Sequence, residues 1–204
     1  MFNTREKKER ALGTKLFLKG TRCSSPKCAT VRRPTRPGLH GKKMRRAPSE
    51  YGQQLQEKQK IQFSYGLREG QLQRIFKEAV KSPGVTGDTV LGLLERRLDN
   101  VVFRLGFAPS RSVARQLVGH GHLMINGRKL TTPSYRVRVK DKISIRPQSK
   151  EHPQFRELAE SMESHDAPVW LTMDGEKKEG IVVSLPQDFD NQFDINRVVD
   201  YYSK

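Results

Sequence analysis

Arg111 and Arg115 stand four residues apart, the separation that makes two side chains neighbours on one side of a helix. His120, His122, Arg128 and Lys129 follow closely. A guanidinium can chelate a phosphate with its planar fork, and an ammonium adds a point charge. Folded RNA is read mainly through phosphates, 2′-hydroxyls and junction shape. Two histidines flanking Gly121 could also be half of a metal site, but no third or fourth ligand follows at suitable spacing. RNA contact is the better reading. A second cationic group, Arg32, Arg33, Arg36, His40, Lys42, Lys43, Arg45 and Arg46, is interleaved with Pro34, Pro37, Gly38, Gly41 and Pro48. These turn residues suggest an extended path that could thread an RNA crevice. Gln54, Lys58 and Lys60 on a polar helix form a third group, for which a solvated face is nearly as good a reading.

The charge balance agrees with a polyanionic partner. The 204 residues hold 39 Lys and Arg against 22 Asp and Glu, a net charge of +17 with a pI near 10.2. Solubility does not require such an excess. It is also polarised: residues 1–60 carry 17 basic and 4 acidic side chains, and residues 151–204 carry 5 and 12. With 34% apolar residues and a mean hydropathy of −0.73, buried surface must be concentrated in a few segments. The sequence has no apolar run of about 18 residues for a membrane span, and its first 22 residues lack a secretory core. Two cysteines are too few for a disulfide framework, so a reducing cytosol is expected.

Residues 1–48 offer few periodic apolar positions and read as a basic N-terminal arm, extended in isolation. Ser49 is the expected N-cap of a polar helix that ends at Gly66, and Leu72, Ile75, Phe76, Ala79 and Val80 predict another, stopped by Pro83-Gly84. From near Asp88 a helix is expected to carry Val90, Leu91, Leu94, Leu98, Val101, Val102 and Leu105 inward, with Glu95, Arg96 and Arg97 opposite. Ser110 caps a short helix over 111–118, and Asn126-Gly127 marks a hairpin. Tyr135 to Val139 and Ile143 to Ile145 suggest a second hairpin around Lys140-Asp141-Lys142. Glu157 to Met162 can form a helix, and 169–173 and 180–185 look like strands around Asp174-Gly175-Glu176. Trp170 reads as a core anchor, and 195–202 as a last helix or strand. The fold class is α+β, a mostly helical domain plus a small antiparallel-sheet domain. The expected divisions are 1–48 (arm), 49–91 (helical, completed by 178–204) and 92–177 (sheet domain and following segment).

Leu94-Glu95-Arg96-Arg97-Leu98-Asp99-Asn100-Val101-Val102-Phe103-Arg104-Leu105-Gly106-Phe107-Ala108 resembles the signature stretch of the bacterial small-subunit ribosomal protein four family. The likeness continues through Ser110-Arg111, Ala114 to Val118, His120-Gly121-His122, Asn126-Gly127-Arg128 and Pro133-Ser134-Tyr135. Upstream it includes Pro37-Gly38, His40-Gly41, Ser49 to Gly52 and Tyr65-Gly66, and at the other end Asp194-Ile195-Asn196 and Tyr202-Ser203-Lys204. The central block is similar to the alpha-L RNA-binding motif. The resemblance implies a structural protein of the small ribosomal subunit, cytoplasmic, that binds small-subunit rRNA early and nucleates folding of the body. It further implies an influence on decoding accuracy and contacts with neighbouring small-subunit proteins, notably protein five. It places Gly41 to Pro48 near the mRNA entry channel, so Lys42, Lys43, Arg45 and Arg46 could meet incoming mRNA.

Some members of that family bind zinc through C-x2-C followed by C-x4-C. Cys23 and Cys28 supply the second pair, but Glu6 and Glu9 occupy the first, so no cofactor is expected. No P-loop, Rossmann glycine pattern or nucleophile elbow argues for an enzyme. A ribosome-rescue or rRNA quality-control factor could use the same motif, although it would not need the long basic arm. A DNA-binding regulator is a third reading, from the helix-turn-helix look of 92–118.

Overall fold

The structure, a computed structural model, describes residues 4–43, 46–150, 155, 166–174, 179–187, 189 and 193–203. It contains two compact units, one of residues 1–89 with 190–204 and the other of residues 90–189.

In the first unit, the N-terminal residues depart from the extended path expected of them. They form three short helices, α1 (Thr4–Leu12), α2 (Thr21–Ser24) and α3 (Ala29–Arg32). A miniature core replaces the missing apolar periodicity. Leu16, Cys23 and Cys28 are buried, as is the whole of Glu9, whose Oε1 accepts the backbone N–H groups of Leu16 at 3.0 Å and Leu18 at 3.2 Å. The carboxylate thus supplies acceptors to a loop that has no ladder of its own. Farther on the chain curls through turns: Gly41 N–H donates to the Gly38 carbonyl and Lys43 N–H to that of His40. Gly41 packs so closely on the Arg36 carbonyl that a β-carbon there would collide with it.

Helix α4 (Glu50–Ser64) starts at Ser49, whose hydroxyl accepts the Gly52 N–H at 3.2 Å. Helix α5 (Glu69–Lys81) buries Leu72, Ile75, Phe76 and Ala79. Val80, expected in that stripe, is exposed in the final turn. The C-terminal helix α9 (Ile195–Ser203) packs on both, burying Val198 and setting Tyr202 on Phe76 with ring centroids 4.4 Å apart.

Helix α6 spans Thr86–Glu95. The single helix expected from Asp88 to Leu105 is broken at Arg96-Arg97, and α7 (Leu98–Arg104) begins anew. Tertiary hydrogen bonds explain the break. The Val137 N–H donates to the Arg96 carbonyl, while Leu98 and Asp99 N–H donate to the carbonyls of Tyr135 and Pro133. Glu95 and Arg97, expected on the solvent side, are therefore buried. Helix α8 (Arg111–His120) is capped by the Ser110 hydroxyl and closed by Gly121 in the left-handed conformation.

Five antiparallel strands complete this unit: β1 (Leu123–Ile125), β2 (Arg128–Lys129), β3 (Lys142–Ile145), β4 (Leu171–Asp174) and β5 (Glu179–Val182), in the order β2-β1-β3-β5-β4. Asn126 and Gly127, both with positive φ, make the β1–β2 hairpin turn. The second expected hairpin does not form. Residues 135–139 contribute one bridge, Arg136 to Arg97, and β3 pairs instead with β1 and β5. The sheet, α7 and α8 enclose a core with Trp170 in it, as expected of that residue. A β-carbon on Gly180 would run into the Leu105 side chain, so glycine lets β5 lie against the end of α7 without displacing that leucine. Residues 157–162 and most of the 174–176 turn lie outside the described residues.

Candidate nucleic-acid interface

In the second unit the candidate cations are built on a charged network. Asp99, 3% exposed at the start of α7, receives Arg97 Nε at 3.1 Å and Nη2 at 2.9 Å. The same carboxylate accepts Arg115 Nε at 2.9 Å and also Arg115 Nη2. One residue on, Asn100 accepts Arg111 Nε at 2.7 Å and donates to the Glu95 carboxylate at 2.9 Å, which also holds Arg104 through two bonds of 3.2 Å. The Arg111 guanidinium lies 4.7 Å from the centroid of the Phe103 ring. The two arginines of α8 are thus half-buried and held in set orientations, rather than the loose surface pair their spacing alone suggested. Pre-ordered donors lose less entropy when they engage an anion.

The hairpin stands beside this helix. Arg128, Lys129 and His120 are exposed, and the Lys129 stem crosses Gly121, where a β-carbon would clash with it. Asn126 braces the turn, donating to Asp141 at 2.8 Å and accepting the Lys142 N–H at 2.9 Å. His122 Nδ1 lies 3.0 Å from the Ser149 hydroxyl, and its ring is 6.0 Å from that of His120. Among the described residues, no three or more His, Cys, Asp or Glu side chains are grouped to hold a metal ion.

The third group of candidates belongs elsewhere. Gln54 and Lys58 are buried, so neither stands on the surface the sequence suggested. The Lys58 ammonium donates to Glu69 at 3.0 Å and Tyr201 at 3.4 Å, and lies over the Tyr201 ring. Burial alone would lower its pKa, but these bonds outweigh that and hold it above the ordinary value. Gln54 donates to Glu50, and Lys60, half-buried, to Glu57 at 2.6 Å. All three take part in bonds within the first unit.

Of the N-terminal candidates, Arg32, Arg33, His40, Lys42, Lys43 and Arg46 are exposed and Arg36 is half-buried, while Arg45 lies outside the described residues. Arg32 and Arg33 line a basic cavity shared with Lys7, Arg10, Arg22 and Lys27, four cations that sequence reasoning had not singled out. The three-residue spacing of Lys7 and Arg10 in a helical segment was the available signal. The two thiols are free and buried. Glu9 is engaged with backbone N–H groups, and Glu6 pairs with Arg22 at 3.0 Å and Lys19 at 3.8 Å.

A cationic helix–hairpin face on a small antiparallel sheet defines an RNA-binding domain of α+β type. Residues 96–143 match the S4 domain and residues 2–95 the ribosomal protein S4/S9 N-terminal domain. The chain is 49% identical over 194 residues to small ribosomal subunit protein uS4 of Thermus thermophilus, covering 94% of this chain and 93% of that one. It is 50% identical, with the same coverage, to the proteins of that name from Syntrophomonas wolfei and Nitratidesulfovibrio vulgaris. The chain belongs to the uS4 family of small-subunit ribosomal proteins. These matches give no support to a rescue or quality-control factor.

Proposed function

We propose that this chain is a structural, non-enzymatic component of the small ribosomal subunit, that it binds small-subunit rRNA through the α8–hairpin face, and that the N-terminal cations provide a second contact. The observation that carries this is the pair Arg111 and Arg115, oriented by Asn100 and Asp99 within the segment that matches the S4 domain. Early binding that nucleates the body, an influence on decoding accuracy and contact with protein five are part of this proposal, supported by the family resemblance and by a sequence polarised between basic and acidic segments. Lys42, Lys43 and Arg46, exposed beside turns, are suited to meet incoming mRNA, with Arg45 between them in sequence. The proposed location is the cytoplasm, on the subunit; no helix among the described residues is long and apolar enough to cross a membrane. Folding is proposed to need no zinc, because Glu6 and Glu9 stand where the family's first cysteine pair would be and carboxylates are poor substitutes for thiolates in a structural zinc site; near-stoichiometric zinc in protein purified without added metal would refute this.

The test is footprinting of the purified protein on small-subunit rRNA with competitor duplex DNA. Discrete protection that survives the competitor is expected, and equal protection of an unrelated RNA would overturn the reading. For the mRNA contact, replacing Lys42, Lys43, Arg45 and Arg46 should slow mRNA unwinding by reconstituted ribosomes, and an unchanged rate would rule it out.

A further inference from the structure

Two carboxylates, Glu95 and Asp99, lie buried beneath the cations of the α8–hairpin face. A negative charge so placed works against the attraction of a polyanion, so each calls for a reason. Asp99 has one in its direct bonds to Arg97 and Arg115. Glu95 reaches the face through another side chain. It is the last residue of α6, so its carbonyl belongs to a helix end that lacks intrahelical donors. Asn100 of α7, itself buried, supplies one. Its Nδ2 donates to the Glu95 carbonyl at 2.9 Å and to the Glu95 carboxylate at 2.9 Å. With both amide hydrogens on Glu95, the amide oxygen is turned towards α8, where it accepts Arg111 Nε at 2.7 Å. A half-turn of the amide would set its oxygen against two acceptors and its nitrogen against a guanidinium. Arg104 in turn holds the carboxylate through two bonds of 3.2 Å.

We infer that Glu95 is a positioning residue of the RNA-binding face: through Asn100 it fixes the direction in which Arg111 is presented to a phosphate. The partners of this relay share one side of α7, because Asn100, Phe103 and Arg104 stand three and four apart. Phe103 holds Arg111 from another side, its ring centroid 4.7 Å from the guanidinium. The break between α6 and α7 makes the relay possible. In a continuous helix, residues five apart point about 140° away from each other around the axis. The break at Arg96-Arg97 lets Glu95 turn back under Asn100. Ordering one rotamer-rich side chain on binding costs roughly two- to tenfold in affinity. A guanidinium oriented before the RNA arrives avoids much of that loss, which offsets the adverse charge of the carboxylate. The inference rests on the RNA-binding reading and adds to it a buried residue that acts on the face from beneath.

The sign of one substitution separates this role from that of a bare charge. Were Glu95 only a buried negative charge, Glu95→Ala in the full chain would tighten binding to small-subunit rRNA. As a positioning residue its loss should weaken binding, roughly three- to tenfold. Glu95→Gln keeps an acceptor for the Asn100 amide and should bind within about twofold of wild type. In a double-mutant cycle the loss should vanish beside Arg111→Gln, where no guanidinium is left to orient, and persist beside Arg128→Gln. The fluorescence of the buried Trp170 shows whether each variant is folded before titration. Should Glu95→Ala not fold, Asn100→Ala takes its place in the same cycle. Tightened or unchanged binding overturns the inference. So does a loss that persists beside Arg111→Gln, which would mark a role in the fold alone. A glutamine variant as weak as the alanine one would shift the role to the Arg104 ion pair and overturn it equally. Arg111→Gln by itself separates the two levels. If it binds rRNA like wild type, the RNA-binding reading of Arg111 fails, whereas a weakened Arg111→Gln with an unaffected Glu95→Ala refutes only the relay.

Discussion

Replacing Asp99 with alanine tests the network beneath the interface. The carboxylate is 3% exposed and bonded to two guanidiniums. The Arg115 side chain is 35% exposed, so on losing its partner it can rehydrate, and its share is that of a surface pair, about 0–1 kcal/mol. The Arg97 side chain is 8% exposed and is left as a buried cation without its carboxylate. Removing one member of a buried pair costs about 3–5 kcal/mol, and the lower end applies because Arg97 is close to the surface. With a urea dependence of about 2 kcal/mol per molar, a loss of about 3 kcal/mol lowers the unfolding midpoint by roughly 1.5 M. The assay is urea denaturation followed by the fluorescence of Trp170, the only tryptophan, which is buried in the same core. Arg97→Met combined with Asp99→Leu should recover most of the loss, since apolar residues of similar volume often replace a buried ion pair at little cost. A midpoint within about 0.3 M of wild type for Asp99→Ala, below about 0.6 kcal/mol at that slope, would refute the reasoning, and so would a double variant weaker than the single.

Arg128→Gln should leave stability within about 0.5 kcal/mol, as for an ordinary surface change, while weakening rRNA binding and flattening its salt dependence; unchanged binding in a filter assay would remove the hairpin from the interface. Gly180→Ala should destabilise the second unit by about 1–3 kcal/mol because the new methyl overpacks Leu105, and a neutral result in thermal unfolding would refute that. Lys58 and Tyr202 both have pKa values raised in the folded state, Tyr202 by burial first and then by its 2.8 Å bond to Glu69. Their stabilisation is complete below the unfolded values, about 10, and is lost as pH climbs through the higher folded ones. Alkaline titration followed by tyrosinate absorbance and circular dichroism should show Tyr202 ionising above the ordinary tyrosine range, with helix loss. Ionisation of all five tyrosines together near the ordinary value of about 10 would contradict this.

The sequence by itself determined the features governed by near neighbours. Ser49 and Ser110 cap helices because a hydroxyl reaches an N–H three residues on, and Asn126-Gly127 turns a hairpin because both residues tolerate positive φ. The α+β class, the Leu72-to-Ala79 stripe and the place of Trp170 in the core followed from periodicity and hydrophobicity in the same way. Only the tertiary structure decided which charges are buried and which strands pair. Arg115 meets Asp99 across 16 positions and Lys58 meets Tyr201 across 143, so neither bond leaves a local signature. For the same reason the periodicity running through Arg96 and Arg97 concealed a helix break made by carbonyls of residues 133–135, and β3 joined β5 rather than its neighbour in sequence. The N-terminal segment is the clearest case: its composition argued for an extended chain, because a buried carboxylate that gathers backbone N–H groups gives no hydrophobic pattern to read. The cationic chemistry was therefore legible in residue types, whereas its arrangement into an oriented arginine pair and a basic cavity depended on contacts between distant parts of the chain.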